Sequence, residues 1–170
     1  MLDPLAAPDA LSAAVEPLED LLQDNTFQPF IELLHVVPAT GTTAGRDRMQ
    51  VLAQAVFDAG GWGSGYQVGG PVRPFASPRA WRDIFRGQVT EGYMRPARRY
   101  GHTAPDRHAP DDIRRAGELA DGIADLVEAH LGPVRGCGDV GGPHTSYIWW
   151  RNLLLVTDDW ATVLHLAVSD

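Results

Sequence analysis

A chain of 170 residues with 44% hydrophobic and 21% charged residues has the composition of one ordinary globular domain, and its single Cys excludes both an internal disulfide framework and a zinc ribbon. No apolar run approaches the roughly 18 residues of a membrane span, and no basic-then-apolar N-terminus marks a secretory signal, so the expectation is a soluble, cytoplasmic protein. A formal charge of −8 disfavours non-specific attachment to nucleic acid or to an anionic membrane, because the global field repels both.

Residues 1–10 are rich in Pro and Ala and read as an extended lead-in. Leu11, Val15, Leu18, Leu21 and Leu22 then keep near-helical spacing, and Pro17 favours a helix that begins near Glu16 rather than one that crosses it. Thr26 is an N-cap candidate for a second helix, with Phe27, Phe30, Ile31, Leu34 and Val37 on one face and Pro38 as its stop. Residues 39–45 lack periodicity and read as a loop.

Residues 46–59 align Met49, Leu52, Ala53, Val56 and Phe57 on one helical face, and Gly60-Gly61 supplies the stop. In the Gly-rich stretch that follows, only residues 65–68 have strand character. Ser77-Pro78 is a helix-start signature, with Trp81, Ile84 and Phe85 on the following face and Gly87 at its end. Residues 88–109 mix Tyr93, Met94 and Tyr100 with Arg, Pro and Gly and read as an irregular, exposed loop.

Pro110 opens the strongest helix of the chain, whose face Ile113, Ala116, Ala120, Ile123, Val127 and His130 runs to Gly132-Pro133. Gly117 and Gly122 each weaken such a helix by about 1 kcal/mol relative to Ala, which suggests close packing against another backbone. Residues 147–156 and 161–168 change to β-branched, aromatic and aliphatic composition and form a hairpin with a four-residue connection. Leu164, Leu166 and Val168 face one side of it, and Val163, His165 and Ala167 the other.

Charge is unevenly spread. Residues 1–40 carry seven acids and no base, residues 73–115 carry ten Arg against five acids, and all basic residues of the chain are Arg. The Arg-rich stretch with Trp81, Phe85, Tyr93 and Tyr100 resembles a single-strand nucleic-acid surface in composition. Trp81 and Phe85 are better explained as core, however, and the Arg groups as partners of acidic helices.

Motifs for chemistry are weak. Gly136, Gly138 and Gly141 form a G-x-G-x-x-G, but a helix precedes it and a strand follows, the reverse of a dinucleotide site, so residues 135–144 read as a loop. Cys137 with His144, oriented by Asp139 or Asp106, is a possible nucleophile and base. His102, His108 and His144 lack the spacing that pre-orders zinc. No catalytic residue, cofactor or metal ligand is therefore assigned, and the leaning is away from an enzyme.

The expectation is an α+β fold: three or four helices packed on a small antiparallel sheet with a C-terminal β-hairpin. Residues 1–170 form a single domain, with residues 1–40 an acidic N-terminal helical segment and 41–170 the main body. In general character such a small acidic α+β protein is similar to bacterial toxin-neutralising immunity proteins. The expected function is non-enzymatic protein binding, of the immunity type, to a basic toxin. Exposed aromatics Trp62, Trp149 and Trp160 and the carboxylates Asp158 and Asp159 are the candidate contacts. The alternatives are a structural subunit of a homo-oligomer or particle, and a Cys/His or metal-assisted hydrolase.

Overall fold

The computed structural model describes residues 2–23, 28–40, 48–60, 68, 70–93, 108–141 and 149–169. Among the described residues, four α-helices pack on an antiparallel sheet whose last two strands are the C-terminal hairpin, the expected α+β class. In chain order the elements are α1 (Ala7–Leu22), β1 (Gln28–Leu33), β2 (Val37–Pro38), α2 (Arg48–Ala59), β3 (Arg73–Pro74), α3 (Ala80–Gly87), α4 (Pro110–Leu131), β4 (Gly136–Val140), β5 (Trp149–Val156) and β6 (Trp160–Ser169). The strand order is β1-β6-β5-β4-β3, with β2 also paired to β6.

The lead-in is not extended. Pro4–Ala6 form a 3-10 turn that runs straight into α1, and α1 crosses Pro17. Pro17 costs the helix the bond to the Ala13 carbonyl, but its ring lies on the exposed side. The stripe Ala7, Leu11, Val15, Leu18 and Leu22 is buried, and the burial of those five side chains outweighs one lost hydrogen bond.

The second expected helix, over residues 26–37, is instead strand. Thr26 and Phe27 lie outside the described residues, and Gln28–Leu33 pair with β6. Within β1 burial alternates: Pro29, Ile31 and Leu33 are buried, Phe30 is half-buried, and Gln28 and Glu32 are exposed. The apolar residues Phe27, Phe30, Ile31, Leu34 and Val37 also recur at helical spacing in the sequence, and that coincidence masked the strand alternation. Among its described residues, the acidic segment 1–40 is thus a 3-10 turn, one helix and two strands.

β1 is an edge strand, and its outer edge is protected. Leu34 N–H bonds the Val163 carbonyl, so odd-numbered residues of β1 point their amides outward. Pro29 has no amide to offer, and Ile31 N–H is capped by Glu19 Oε1 at 2.8 Å.

Three further expectations change. α3 starts at Ala80 without a side-chain cap, because Ser77 and Pro78 are used in a preceding turn in which Ala80 N–H bonds the Ser77 carbonyl. Residues 88–93 of the expected loop continue α3 as a π-helical turn that buries Gln88, Val89 and Tyr93; residues 94–107 lie outside the described residues. The Tyr93 hydroxyl reaches the Ala167 carbonyl at 3.2 Å, which ties this turn to the sheet.

Residues 136–140 of the other expected loop are β4, held between β5 and β3. Gly138 permits this: a Cβ there would sit 2.6 Å from the Arg73 carbonyl oxygen, so only Gly lets β3 approach. Val68 is not in a strand, and residues 65–67 lie outside the described residues.

The helix over residues 46–59 is described from Arg48 as α2, and its expected buried face is present. α4 runs as expected from Pro110 and stops at Gly132, whose φ of +86° suits glycine. Gly117 marks a close approach, but to the Arg86 guanidinium, 2.9 Å from a built Cβ, rather than to a backbone; Gly122 faces open space. The hairpin connection is three residues, Thr157, Asp158 and Asp159, because Trp160 already belongs to β6.

The two faces of the sheet are covered differently. Leu153, Leu155, Leu164 and Leu166 meet α1, α3 and α4, whereas Leu154, Val156 and Val163 meet α2. The expected division of β6 between its two sides is present, with Leu164 and Leu166 on the first and Val163 on the second. No described helix is long and apolar enough to cross a membrane.

Candidate functional site

Cys137 is a capping residue in this fold. It projects from β4 against the first turn of α3, 3% exposed, and its Sγ lies 3.4 Å from the Ser77 carbonyl oxygen and 3.6 Å from that of Pro78. The thiol therefore donates to carbonyls and accepts from the Trp81 amide. Burial pushes the Cys137 thiol up from its ordinary value, against a smaller lowering by that amide. A thiol held protonated is a poor nucleophile. His144, its proposed base, lies outside the described residues, as do His102 and Asp106.

Asp139 is committed elsewhere, to a two-pronged pair with Arg151 at 2.7 and 2.8 Å. Among the described residues no three His, Cys, Asp or Glu side chains converge as metal ligands.

Two arginines of the basic stretch are used internally. Arg82 donates to Asp125 and Glu128 at 2.7 and 2.9 Å, and Arg86 pairs with Asp121, so α3 is bound to the acidic side of α4. Trp81 and Phe85 are fully buried. Arg114 pairs along its own helix with Glu118. Rings and guanidinium groups that composition grouped together are thus divided between core and helix–helix contact.

The aromatic and acidic binding candidates do not form one patch. Trp62 lies outside the described residues. Trp149 opens β5 opposite Val168, at one end of the hairpin. Trp160 begins β6 at the other end, eight residues from Val168, or roughly 26 Å along a strand. The hairpin therefore separates Trp149 from Trp160, Asp158 and Asp159.

The turn end of the hairpin does bring residues together. Asp158 and Asp159 are exposed, and Trp160 is half-buried against the core under α1 and α4. Asp158 receives a hydrogen bond from Arg135 Nε at 3.1 Å, and the Asp159 carbonyl accepts from Ala39 N–H. Thr157 closes the turn through its hydroxyl, which accepts from Trp160 N–H at 3.0 Å.

To the same end the chain brings its first residues. Leu2 N–H bonds the Ala129 carbonyl in the last turn of α4, His130 Nδ1 donates to the Asp3 carbonyl at 2.7 Å, and shortly beyond α4 the Arg135 amide bonds Val156 beside the hairpin turn. Leu2 and Leu5 are left 52% and 65% exposed, with Asp3 between them. Asp3 Oδ1 accepts from Leu5 N–H and shapes the turn that presents both leucines. These leucines were missed in the sequence because they precede the buried stripe of α1 and looked like part of an unstructured lead. The Asp3-Pro4 pair, an N-cap before a first-turn proline, was the available signal.

Along α1 the exposed side carries Asp9, Glu16 and Asp20 with no base. Glu19 is raised above its ordinary value, first by burial and then by the charges of Asp20, Glu32 and Glu16, against the lowering effect of the Ile31 amide. Glu32 is raised by burial. Carboxylates here repel one another without local neutralisation from their own segment, which favours a cationic partner.

Compared with protein-family models, with curated proteins and with solved structures, the chain finds no match in any of the three.

Proposed function

We propose that the chain is a non-enzymatic protein-binding module that takes a basic protein onto the hairpin-turn end, in the manner of a toxin-neutralising immunity protein. The carrying observation is the pair of exposed leucines, Leu2 and Leu5, set around Asp3 at the end of the molecule that also presents Asp158, Asp159 and half-buried Trp160. Exposed apolar groups at an acidic end of the molecule supply a desolvated anchor beside charge-steering carboxylates. The unneutralised acids of α1 add to the attraction and speed encounter with a cation-rich surface.

The test is a tagged pull-down from the native cell at low and high salt, with masses from light scattering. A stoichiometric basic protein, released by salt and lost when Leu2→Ser/Leu5→Ser replaces the native pair, supports the reading. Undiminished capture by that double variant overturns the assigned surface. Recovery of self-oligomers alone favours the structural-subunit alternative.

A further inference from the structure

Between the first turn of α2 and the β4–β5 edge of the hairpin-turn end lies a cavity of about 230 Å³. Its inner wall is apolar: Leu52 and Val156 are buried and Met49 half-buried. Its mouth is charged, since Arg135 and Asp158 are 60% and 67% exposed. Arg48 completes the wall. Its Nη2 donates to the Ala39 carbonyl at 3.3 Å, while its Nε is shielded from solvent and has no hydrogen-bond partner among the described residues.

We propose that this cavity binds a small organic carboxylate, with the carboxylate on Arg48 and Arg135 and a short apolar body against Met49, Leu52 and Val156. Arg48 and Arg135 both line the cavity, and the partner that guanidinium groups hold best is an anionic oxygen such as a carboxylate. Two guanidinium groups against one Asp158 carboxylate leave a single net positive charge, which matches a monoanion rather than a phosphate dianion. The volume exceeds the roughly 150 Å³ that admits benzene, so a ring or short chain fits beside the carboxylate. Asp158 is the built-in competitor, because it already occupies Arg135 Nε at 3.1 Å. This site shares Asp158 with the protein-binding reading but not that reading's anchors, Leu2 and Leu5, so loss of carboxylate binding and loss of partner capture are separable.

Titration of the intact protein with benzoate and butyrate, followed by calorimetry, tests it, with butanol and inorganic phosphate as probes of charge and shape. The expected result is one saturable site for a carboxylate at about millimolar concentration, with butanol and phosphate each weaker by roughly tenfold or more. Arg48→Met lowers carboxylate affinity by roughly tenfold. Asp158→Asn, at an exposed position where folding is safe, raises it about two- to fivefold by removing the rival ion pair. No saturable carboxylate binding, phosphate binding as tight as benzoate, or an Asp158→Asn variant that binds no better than the native chain overturns the proposal.

Discussion

The two faces of the sheet are built to different standards. Toward α1, α3 and α4 the strands present Leu153, Leu155, Leu164 and Leu166, and three helices that also pack on one another close over them. Toward α2 they present Leu154, Val156 and Val163 at one end, and Asn152 and His165, in phase with them, are buried on the same side. Asn152 and His165 are cross-strand neighbours in register, and His165 Nδ1 lies 2.6 Å from Asn152 Oδ1. On the other side Thr162, in phase with Leu164 and Leu166, donates its hydroxyl to the Leu34 carbonyl at 2.9 Å. Buried polar groups thus occur on both sides, each bonded to a neighbour: to a side chain across strands on the α2 side, and to a main-chain carbonyl on the side of the three helices.

The largest expected difference between the faces comes from adjacent residues of β5. Leu153 and Leu154 are both 0% exposed and point to opposite sides. Leu153→Ala should cost about 3–5 kcal/mol, because helices fixed against one another cannot close the cavity, and Leu154→Ala about 2–3 kcal/mol, because α2 alone can settle inward. Denaturant midpoints measure both, and the reverse order would break the comparison.

A pH titration of stability sharpens it. Burial lowers His165 to about 4 from 6.5, so between those values the unfolded chain binds a proton that the native chain does not. The contribution is complete above pH 6.5 and is lost as the pH falls toward 4, by about 3 kcal/mol at most. Glu19 and Glu32, raised by burial, act in the opposite direction as they protonate. The difference between the native chain and His165→Gln isolates the histidine. It should narrow steadily through that window, and a difference that is flat with pH removes the buried-histidine account.

The smallest effects test how the helix face is assembled. Gly122→Ala on α4 meets no atom within 4 Å and should stabilise the protein by up to about 1 kcal/mol, read as a higher melting temperature. Gly117→Ala should gain less, because its Cβ displaces the Arg86 guanidinium that pairs with Asp121. Equal gains at both sites would mean that this ion pair reseats without loss.

Much of the helical framework is legible from local pattern. The faces of α2 and α4, the buried pair Trp81 and Phe85, and the two sides of β6 follow from apolar spacing, because an element with one buried stripe writes its period into the chain. Asp158, Asp159 and Trp160 could be picked as surface candidates from a turn between apolar runs. β1 was not legible, since Phe30, Ile31, Leu34 and Val37 also fit a helical period and outweighed the alternation of Pro29, Ile31 and Leu33. β4 was not, since its glycines signal a loop until β3 is placed 2.6 Å from the position a Cβ would take.

The sequence by itself determined the α+β class, the C-terminal hairpin and the excess of acid over base, all of which depend on composition or on neighbours a few residues apart. Tertiary structure alone decided that Pro17 stays within a helix, that Arg82 and Arg86 bind α4, that Cys137 caps α3, and that Leu2 reaches the end of the molecule where Asp158 turns. Each of those outcomes joins groups distant in the chain or balances a local cost against burial elsewhere, and no local periodicity encodes either.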